Sequence, residues 1–325
     1  MKVAVLGAGG WGTALAVLLA RGGHEVALWA RRCALAEALT LERENRDYLP
    51  GVRFPEGVHP VCQGERALEG AAFALVAVPT HGVRSVLESL PPARAYVSAV
   101  KGVRFRGGRL LRVSQIVRQV RPQSAVAALS GPNLALEVAR GLPAAAVVAG
   151  EDAELAARVQ RALSGSTFRV YTSDDVAGVE LGGALKNVMA LAAGMADGLE
   201  LGDNAKAALL TRGLREMVRF GTAHGGRPET FYGLSGLGDL MATAMSPLSR
   251  NRSAGERLAR GATLAELETG KQVVEGVRTT AALHEWAGER GEELPITQAV
   301  WRVVYRGDDA RAVLDELMRR EPKPE

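Results

Sequence analysis

Val3-Ala-Val-Leu-Gly-Ala-Gly-Gly-Trp-Gly-Thr-Ala-Leu-Ala16 sets Gly7, Gly9 and Gly12 in the pattern G-x-G-x-x-G between a strand-forming run and the start of a helical one. In that setting each glycine has its own task. Gly7 permits the tight turn, Gly9 lets the backbone approach a pyrophosphate, and Gly12 lets the helix pack on the strand, while the helix N-terminus offers free N–H groups to the anion. Working outward, apolar runs at Lys2–Leu6, Glu25–Trp29, Phe73–Val78, Tyr96–Ala99, Ala125–Leu129, Ala144–Ala149 and Phe168–Tyr171 alternate with helical segments such as Trp11–Arg21 and Glu151–Leu163. Strands separated by helices predict βαβ units and a largely parallel sheet covered on both faces. Beyond residue 175 the apolar spacing is helical as far as Arg320, with breakers expected at Gly194, Gly225-Gly226, Gly233–Gly238, Gly261, Gly270 and Gly291. The predicted fold class is thus α/β: a Rossmann-type, doubly wound, mostly parallel sheet over residues 1–178, followed by an all-α domain over 179–325. Only the Glu-Pro-Lys-Pro-Glu tail reads as disordered.

Composition narrows the function. With 325 residues, 47% hydrophobic and 23% charged, the chain is of ordinary globular type. No apolar run is read as reaching the roughly 20 residues of a membrane span. The start leaves no room for a signal peptide, so a cytoplasmic protein without membrane insertion is expected. Cys33 and Cys62 lack metal-site spacing and are read as reduced thiols. The net charge of +4 is spread among interleaved acids rather than gathered in a stripe, so no nucleic-acid partner is expected. Five scattered histidines give no H-x-x-H or H-E-x-x-H spacing, and no metal is expected.

Two clusters of side chains carry chemistry. Where the second strand ends, an NAD-selective site usually has an acid for the ribose 2′-hydroxyl, but this chain reads Leu28-Trp-Ala-Arg-Arg32. Two guanidiniums suit a 2′-phosphate, which favours NADP(H), with NAD(H) as the second option; the alternative is that they cap the loop in solvent. Lysine, meanwhile, is scarce: six positions among forty Lys and Arg residues. Only a lysine can be tuned towards neutrality by burial. Lys186, in Glu180-Leu-Gly-Gly-Ala-Leu-Lys-Asn187, is therefore the first candidate for proton transfer, the alternative being a lysine that snorkels to solvent.

In order along nearly the whole chain, Gly7–Ala16, Lys101-Gly102, Ser130-Gly-Pro132, Glu180–Asn187, Gly236-Leu-Gly-Asp-Leu240, Ser249-Arg-Asn-Arg252 and Gln272-Val-Val-Glu-Gly276 resemble the bacterial NAD(P)-dependent glycerol-3-phosphate dehydrogenases. The resemblance implies reversible reduction of dihydroxyacetone phosphate to sn-glycerol 3-phosphate for phospholipid synthesis, with the active site between a Rossmann domain and a helical one. It implies a proton-transferring Lys186 with Lys101 and Asp239 beside it. Substrate contacts are expected at Lys101, Gly131, Asn133, Lys186, Asn187, Asp239, Ser249, Arg250 and Asn251. Cofactor contacts are expected at Gly7, Gly9, Gly10, Trp11, Gly12, Arg31, Arg32, Lys101, Ala135, Arg250, Val273 and Glu275. The family commonly has Ser at the position of Gly10, and Ser or Thr then Phe where this chain has Asn133-Leu134.

Chemistry agrees with these positions. A lysine near a ketone oxygen stabilises the developing alkoxide and delivers its proton, and Gly182, Gly183 and Ala184 would let its helix approach the first domain. Ser249-Arg-Asn-Arg252 reads as a helix start where backbone N–H groups, the Asn251 amide and the Arg250 fork converge on a phosphate, the alternative being a basic helix cap. Asp239 follows a glycine turn and is either a partner aimed at Lys186 or a cap of the next helix. Thr80-His81 either lines the cofactor cleft or forms a surface turn. Two rival functions remain: another Rossmann hydroxyacid or sugar-acid dehydrogenase, which needs no phosphate site, and a non-catalytic dinucleotide sensor, which needs no proton donor. A homodimer through the helical domain is a further expectation, with no patch identified for it.

Overall fold

The computed structural model describes residues 1–269, 273–319 and 321. Gly270, Gln272 and most of the tail lie outside these. Among the described residues the main sheet has eight strands in the order Phe168–Ser173, Ala144–Gly150, Ala125–Ser130, Ala95–Ser98, Ala74–Val76, Lys2–Leu6, Glu25–Trp29 and Val58–Val61. All neighbours are parallel except Ala125–Ser130 with Ala144–Gly150. The central strand Lys2–Leu6 is almost wholly buried, its odd and even residues packing into separate clusters on the two faces, as the side-chain alternation of a doubly covered sheet requires. The edge strand Val58–Val61 escaped the sequence reading because it is four residues long and contains Pro60, which cannot donate to a ladder. Two hairpins, Glu44–Asn45 with Leu49–Arg53 and Val103–Arg106 with Arg109–Arg112, were also missed, since Pro50 and the dense arginines mask any alternation.

From Val176 onward every regular element is helical among the described residues, with single π-type turns at Leu234–Gly238 and Arg302–Arg306. The helix Val176–Gly198 is the axis of this half. Asp175 caps it by accepting from Gly178 N at 2.8 Å, and nearly all its residues are buried. It corrects two expectations. Its length and mean hydropathy of 1.3 would suffice for a membrane span, yet 94% of the apolar stretch is buried inside the protein, so it is a core helix. Gly194 does not break it: a Cβ there would stand 1.9 Å from the Arg252 carbonyl oxygen, so the glycine exists to let the helix Arg250–Ala259 pack backbone to backbone. Glu180, buried on the same helix, accepts from Ser114 N at 2.8 Å and from Ser114 Oγ, at the start of the helix Val113–Val120. This bond ties the helical half to the sheet half.

The cysteine reading is also overturned. Cys33 and Cys62 form a disulfide. Sequence separation of 29 hid a proximity that arises from pairing of Glu25–Trp29 with Val58–Val61, whose C-terminal ends adjoin both cysteines.

Gly194→Val should destabilise the protein by about 3 kcal/mol or more through overpacking, read as a lower midpoint in urea unfolding; an unchanged midpoint would mean that the two helices separate freely.

Candidate functional site

The glycine turn has the geometry its sequence demands. Gly7 has φ +121°, and a Cβ there would lie 2.9 Å from the Ala77 backbone; a Cβ on Gly12 would lie 2.0 Å from the Gly7 carbonyl oxygen. The helix Gly10–Arg21 has no acid in its first turn, so its N-terminal partial positive charge is left for a ligand. Asn45 locks the turn from the first hairpin, its Nδ2 donating to Ala8 O at 3.0 Å and to Thr13 Oγ1 at 2.8 Å. A cleft of about 630 Å³ opens from here between the sheet and the helical half. Gly7, Gly9, Gly10, Trp11, Arg31 and Arg32 line one end; Lys101, Asn133, Ala135, Lys186, Asn187, Ser249, Arg250, Asn251, Val273 and Glu275 line the rest. Gly12, Gly131 and Asp239 stand behind this lining. At Gly10, where the family commonly has Ser, a Cβ would meet Tyr48 O at 2.8 Å; Tyr48 itself lines the cleft and had no signal in the sequence. The buried Trp11 Nε1 has no hydrogen-bond partner among the described residues, so it is a donor available to a ligand.

At the inner end, Asp239 holds two lysines. Lys186 Nζ donates to Asp239 Oδ1 at 2.9 Å, and Lys101 Nζ donates to Asp239 Oδ2 at 2.7 Å. Lys186 also donates to Thr243 Oγ1 at 2.5 Å, and Lys101 to Gly131 O at 2.7 Å. Asp239 begins the helix Asp239–Met245 without capping it by its side chain, so the partner reading prevails over the cap. Lys186 is 5% exposed, which excludes snorkelling. A Cβ on Gly183 would be 2.5 Å from Ser130 Oγ; the glycine is what brings this helix against the sheet. Burial pushes the Lys186 ammonium down to about 8; Asp239 opposes the shift, while Lys101 and Arg250 add to it.

A second relay aligns the cleft. Asn187 Nδ2 donates to Lys101 O at 2.8 Å, Asn251 Nδ2 donates to Asn187 Oδ1 at 2.8 Å, and Gly276 N donates to Asn251 Oδ1 at 2.9 Å. Four segments from both halves are thereby fixed in register. Ser249 caps the helix Arg250–Ala259 by accepting from Arg252 N at 3.2 Å, so Ser249-Arg-Asn-Arg252 is a helix start, as its sequence reads. Arg250 Nη1 donates to Val273 O at 3.1 Å. Glu275 accepts from Thr80 N at 3.0 Å and Thr80 Oγ1 at 2.8 Å across the cleft, and burial raises its carboxyl affinity for a proton. Thr80 is thus buried in a clasp between halves, while His81 lines the cleft with its imidazole held below its ordinary range by burial and by nearby arginines. Asn133 spends its Nδ2 on Ala145 O at 2.9 Å, leaving a buried Oδ1 without a partner among the described residues. Thr243 was invisible in the sequence because a single hydroxyl in a helical segment has no pattern of its own, and Thr80, named there only with His81 as cleft wall or surface turn, gave no sign of its bond to Glu275.

Profiles of the NAD-dependent glycerol-3-phosphate dehydrogenase N-terminus and C-terminus match residues 2–156 and 175–315. The chain belongs to that family. It is 60% identical over 325 residues to the glycerol-3-phosphate dehydrogenase (NAD(P)+) of Thermus thermophilus, covering all of both chains. Identity to the Deinococcus radiodurans enzyme of the same name is 54%, over 99% of this chain and 96% of that one. Among solved structures, glycerol-3-phosphate dehydrogenase from Coxiella burnetii superposes with a TM-score of 0.93 at 38% identity, over 98% of this chain and 99% of the other. The two lysines and the glycine turn line one cleft, with Asp239 directly behind the lysines.

Asp239→Asn removes the charge that supports protonated Lys186, so the Lys186 pKa should fall further below about 8; side-chain NMR titration of the lysines would read the shift, and a rise would reverse the assignment of the pair.

Proposed function

We propose that the chain reduces dihydroxyacetone phosphate to sn-glycerol 3-phosphate, and the reverse, with Lys186 carrying the proton. The observation behind this reading is the Lys186–Asp239–Lys101 cluster on the wall of a cleft that the glycine-rich turn also lines. When bound, NAD(P)H supplies the hydride. Residues 1–178 hold the cofactor: the N–H groups at the start of Gly10–Arg21 take the pyrophosphate, and Arg31 and Arg32 take a 2′-phosphate where one is present. Residues 179–325 hold the substrate, with Arg250 and the start of the helix Arg250–Ala259 neutralising its phosphate and Asn251 kept in line by Asn187 and Gly276.

Protonated Lys186 stabilises the oxyanion forming at the ketone and gives up its proton; Asp239 keeps the ammonium aimed, and Lys101 polarises the same region. In the oxidative direction the neutral amine accepts the proton. Both forms are accessible near neutrality because burial brings the group down to about 8. Against a hydroxyacid dehydrogenase stands the phosphate-binding helix start; against a sensor stands the cost of burying Lys186 and Asp239 beside a second, half-buried lysine with no reaction to serve. The reactants are water-soluble metabolites, which suits a cytoplasmic enzyme, and a homodimer is the assembly we favour.

NADPH oxidation with dihydroxyacetone phosphate as sole acceptor is the direct assay; no turnover at any pH would sink the reading. Reduction requires the protonated lysine and should decline as pH rises through about 8, whereas oxidation should increase through the same range. Lys186→Arg should cost about 10²- to 10⁴-fold in kcat, and near-normal turnover would demote Lys186 to a positioning charge. Arg250→Ala should raise KM for the substrate by roughly 30-fold, about 2 kcal/mol for a charge-assisted contact; an unchanged KM would remove Arg250 from the phosphate site.

A further inference from the structure

The strand Glu25–Trp29 leads into Ala30-Arg31-Arg32, and Cys33 opens the helix Cys33–Glu42 directly after the two arginines. Cys62 follows the edge strand Val58–Val61. The disulfide between them spans two turns at the cofactor end of the sheet, with Cα atoms 5.0 Å apart. Beside it, Ala30 N donates to Val61 O at 2.9 Å and Trp29 Nε1 donates to Cys62 O at 3.0 Å. The segment from Trp29 to Arg32, which lines the cleft, is therefore stitched to the sheet edge, and the S–S bond is the link nearest the two arginines along the chain, since Cys33 follows Arg32 directly.

That edge is weak without a covalent tie. Its strand is four residues long, carries Pro60 in the register opposite Leu28, and pairs with a single neighbour. Arg31 and Arg32 have exposed side chains, so the aim of their guanidiniums follows from the backbone at the head of the helix. Cys33 is exposed and Cys62 half-buried, which leaves the bond within reach of a reductant in solution.

We propose that the Cys33–Cys62 disulfide is a specificity-determining element of the cofactor site: by fixing the turn that carries Arg31 and Arg32 it sets the preference for a cofactor with a 2′-phosphate over one without. The proposal rests on the assignment of those arginines to the 2′-phosphate. A cofactor lacking that phosphate makes no use of the two forks, so loosening the turn weakens binding of NADPH and leaves NADH unaffected. A mere structural staple would alter both cofactors alike, or only the melting temperature.

The test measures KM for NADPH and for NADH with dihydroxyacetone phosphate, on the air-oxidised protein and after full reduction by a water-soluble phosphine. In that step the S–S bond breaks to two thiols while the phosphine takes an oxygen atom from water and becomes its oxide; thiol titration before and after counts the sulfhydryls. Reduction should raise KM for NADPH roughly three- to tenfold, about the worth of one hydrogen bond, with KM for NADH and kcat unchanged. Cys33→Ser and Cys62→Ser should sit at the reduced value and ignore the phosphine. Free thiols in the oxidised protein, an unaltered NADPH to NADH ratio, or parallel shifts for both cofactors would each overturn the proposal. The reductant arm on the unmodified chain stands even if a serine variant fails to fold. Arg31→Ala combined with Arg32→Ala separates the two levels: if that variant keeps the original cofactor ratio, the arginine assignment itself falls; if it loses the ratio while reduction changes nothing, only the disulfide proposal falls.

Discussion

Asp239 is one buried carboxylate shared by two lysine ammoniums, and the rest of the site is arranged to make that sharing tolerable. Burying a charge costs several kcal/mol unless it is paired and hydrogen-bonded, and here each partner has a second bond: Thr243 for Lys186, the Gly131 carbonyl for Lys101. The three groups come from three places in the fold, the strand-end segment before Val103, the core helix and the helix that begins at Asp239, and the Gly131 turn adds an acceptor from a fourth. Each must therefore be held by something other than the charges themselves. Gly183 sets the distance of the core helix from the sheet, Glu180 fastens that helix to Ser114, and the Asn187–Asn251 relay fixes the helix bearing Arg250. The balance between two cations, one anion and a dry surrounding leaves Lys186 able to gain or lose a proton near neutral pH.

The family and the chemistry are local in sequence, and the packing is not. The glycine turn could be read because strand, turn and helix are contiguous, and Lys186 because lysine is rare in this chain. Asp239 could be ranked as a candidate but not separated from a helix cap, since both roles use the same residue after the same glycines; only the direction of its carboxylate decides. The Cys33–Cys62 pair, the Pro60 edge strand and the Thr80–Glu275 clasp depend on segments brought together from 29 to 195 residues apart. No periodicity carries that information. Gly194 shows the converse error, a residue type that breaks helices in isolation but here serves close approach of two helices.

The arrangement also divides rigidity from access. Polar groups in the clasp and the asparagine relay bond one half of the molecule to the other at points flanking the ligand space, while elsewhere the halves meet through apolar contact, Ala128 and Ala149 of the sheet packing on Val176 and Val179 and Val103 joining the helical core. These ties involve buried groups, so releasing any of them leaves a polar group to be resolvated, and the penalty is greatest for the Glu180–Ser114 bond, where a fully buried carboxyl would lose both of its partners.

The core helix Val176–Gly198 has one more implication, for biogenesis. Its composition is that of a segment a membrane would accept, and its cover comes from both directions along the chain. The sheet that shields one side is made before it on the ribosome, but the helices Gly202–Ala223, Arg250–Ala259 and Glu275–Arg290 that shield the other are made after it. For the time needed to synthesise about a hundred residues, a long apolar surface stands uncovered on a half-built protein. The small residues that later admit its neighbours so closely leave that surface smooth in the meantime, so the interval of greatest risk for self-association falls before the last helix has emerged.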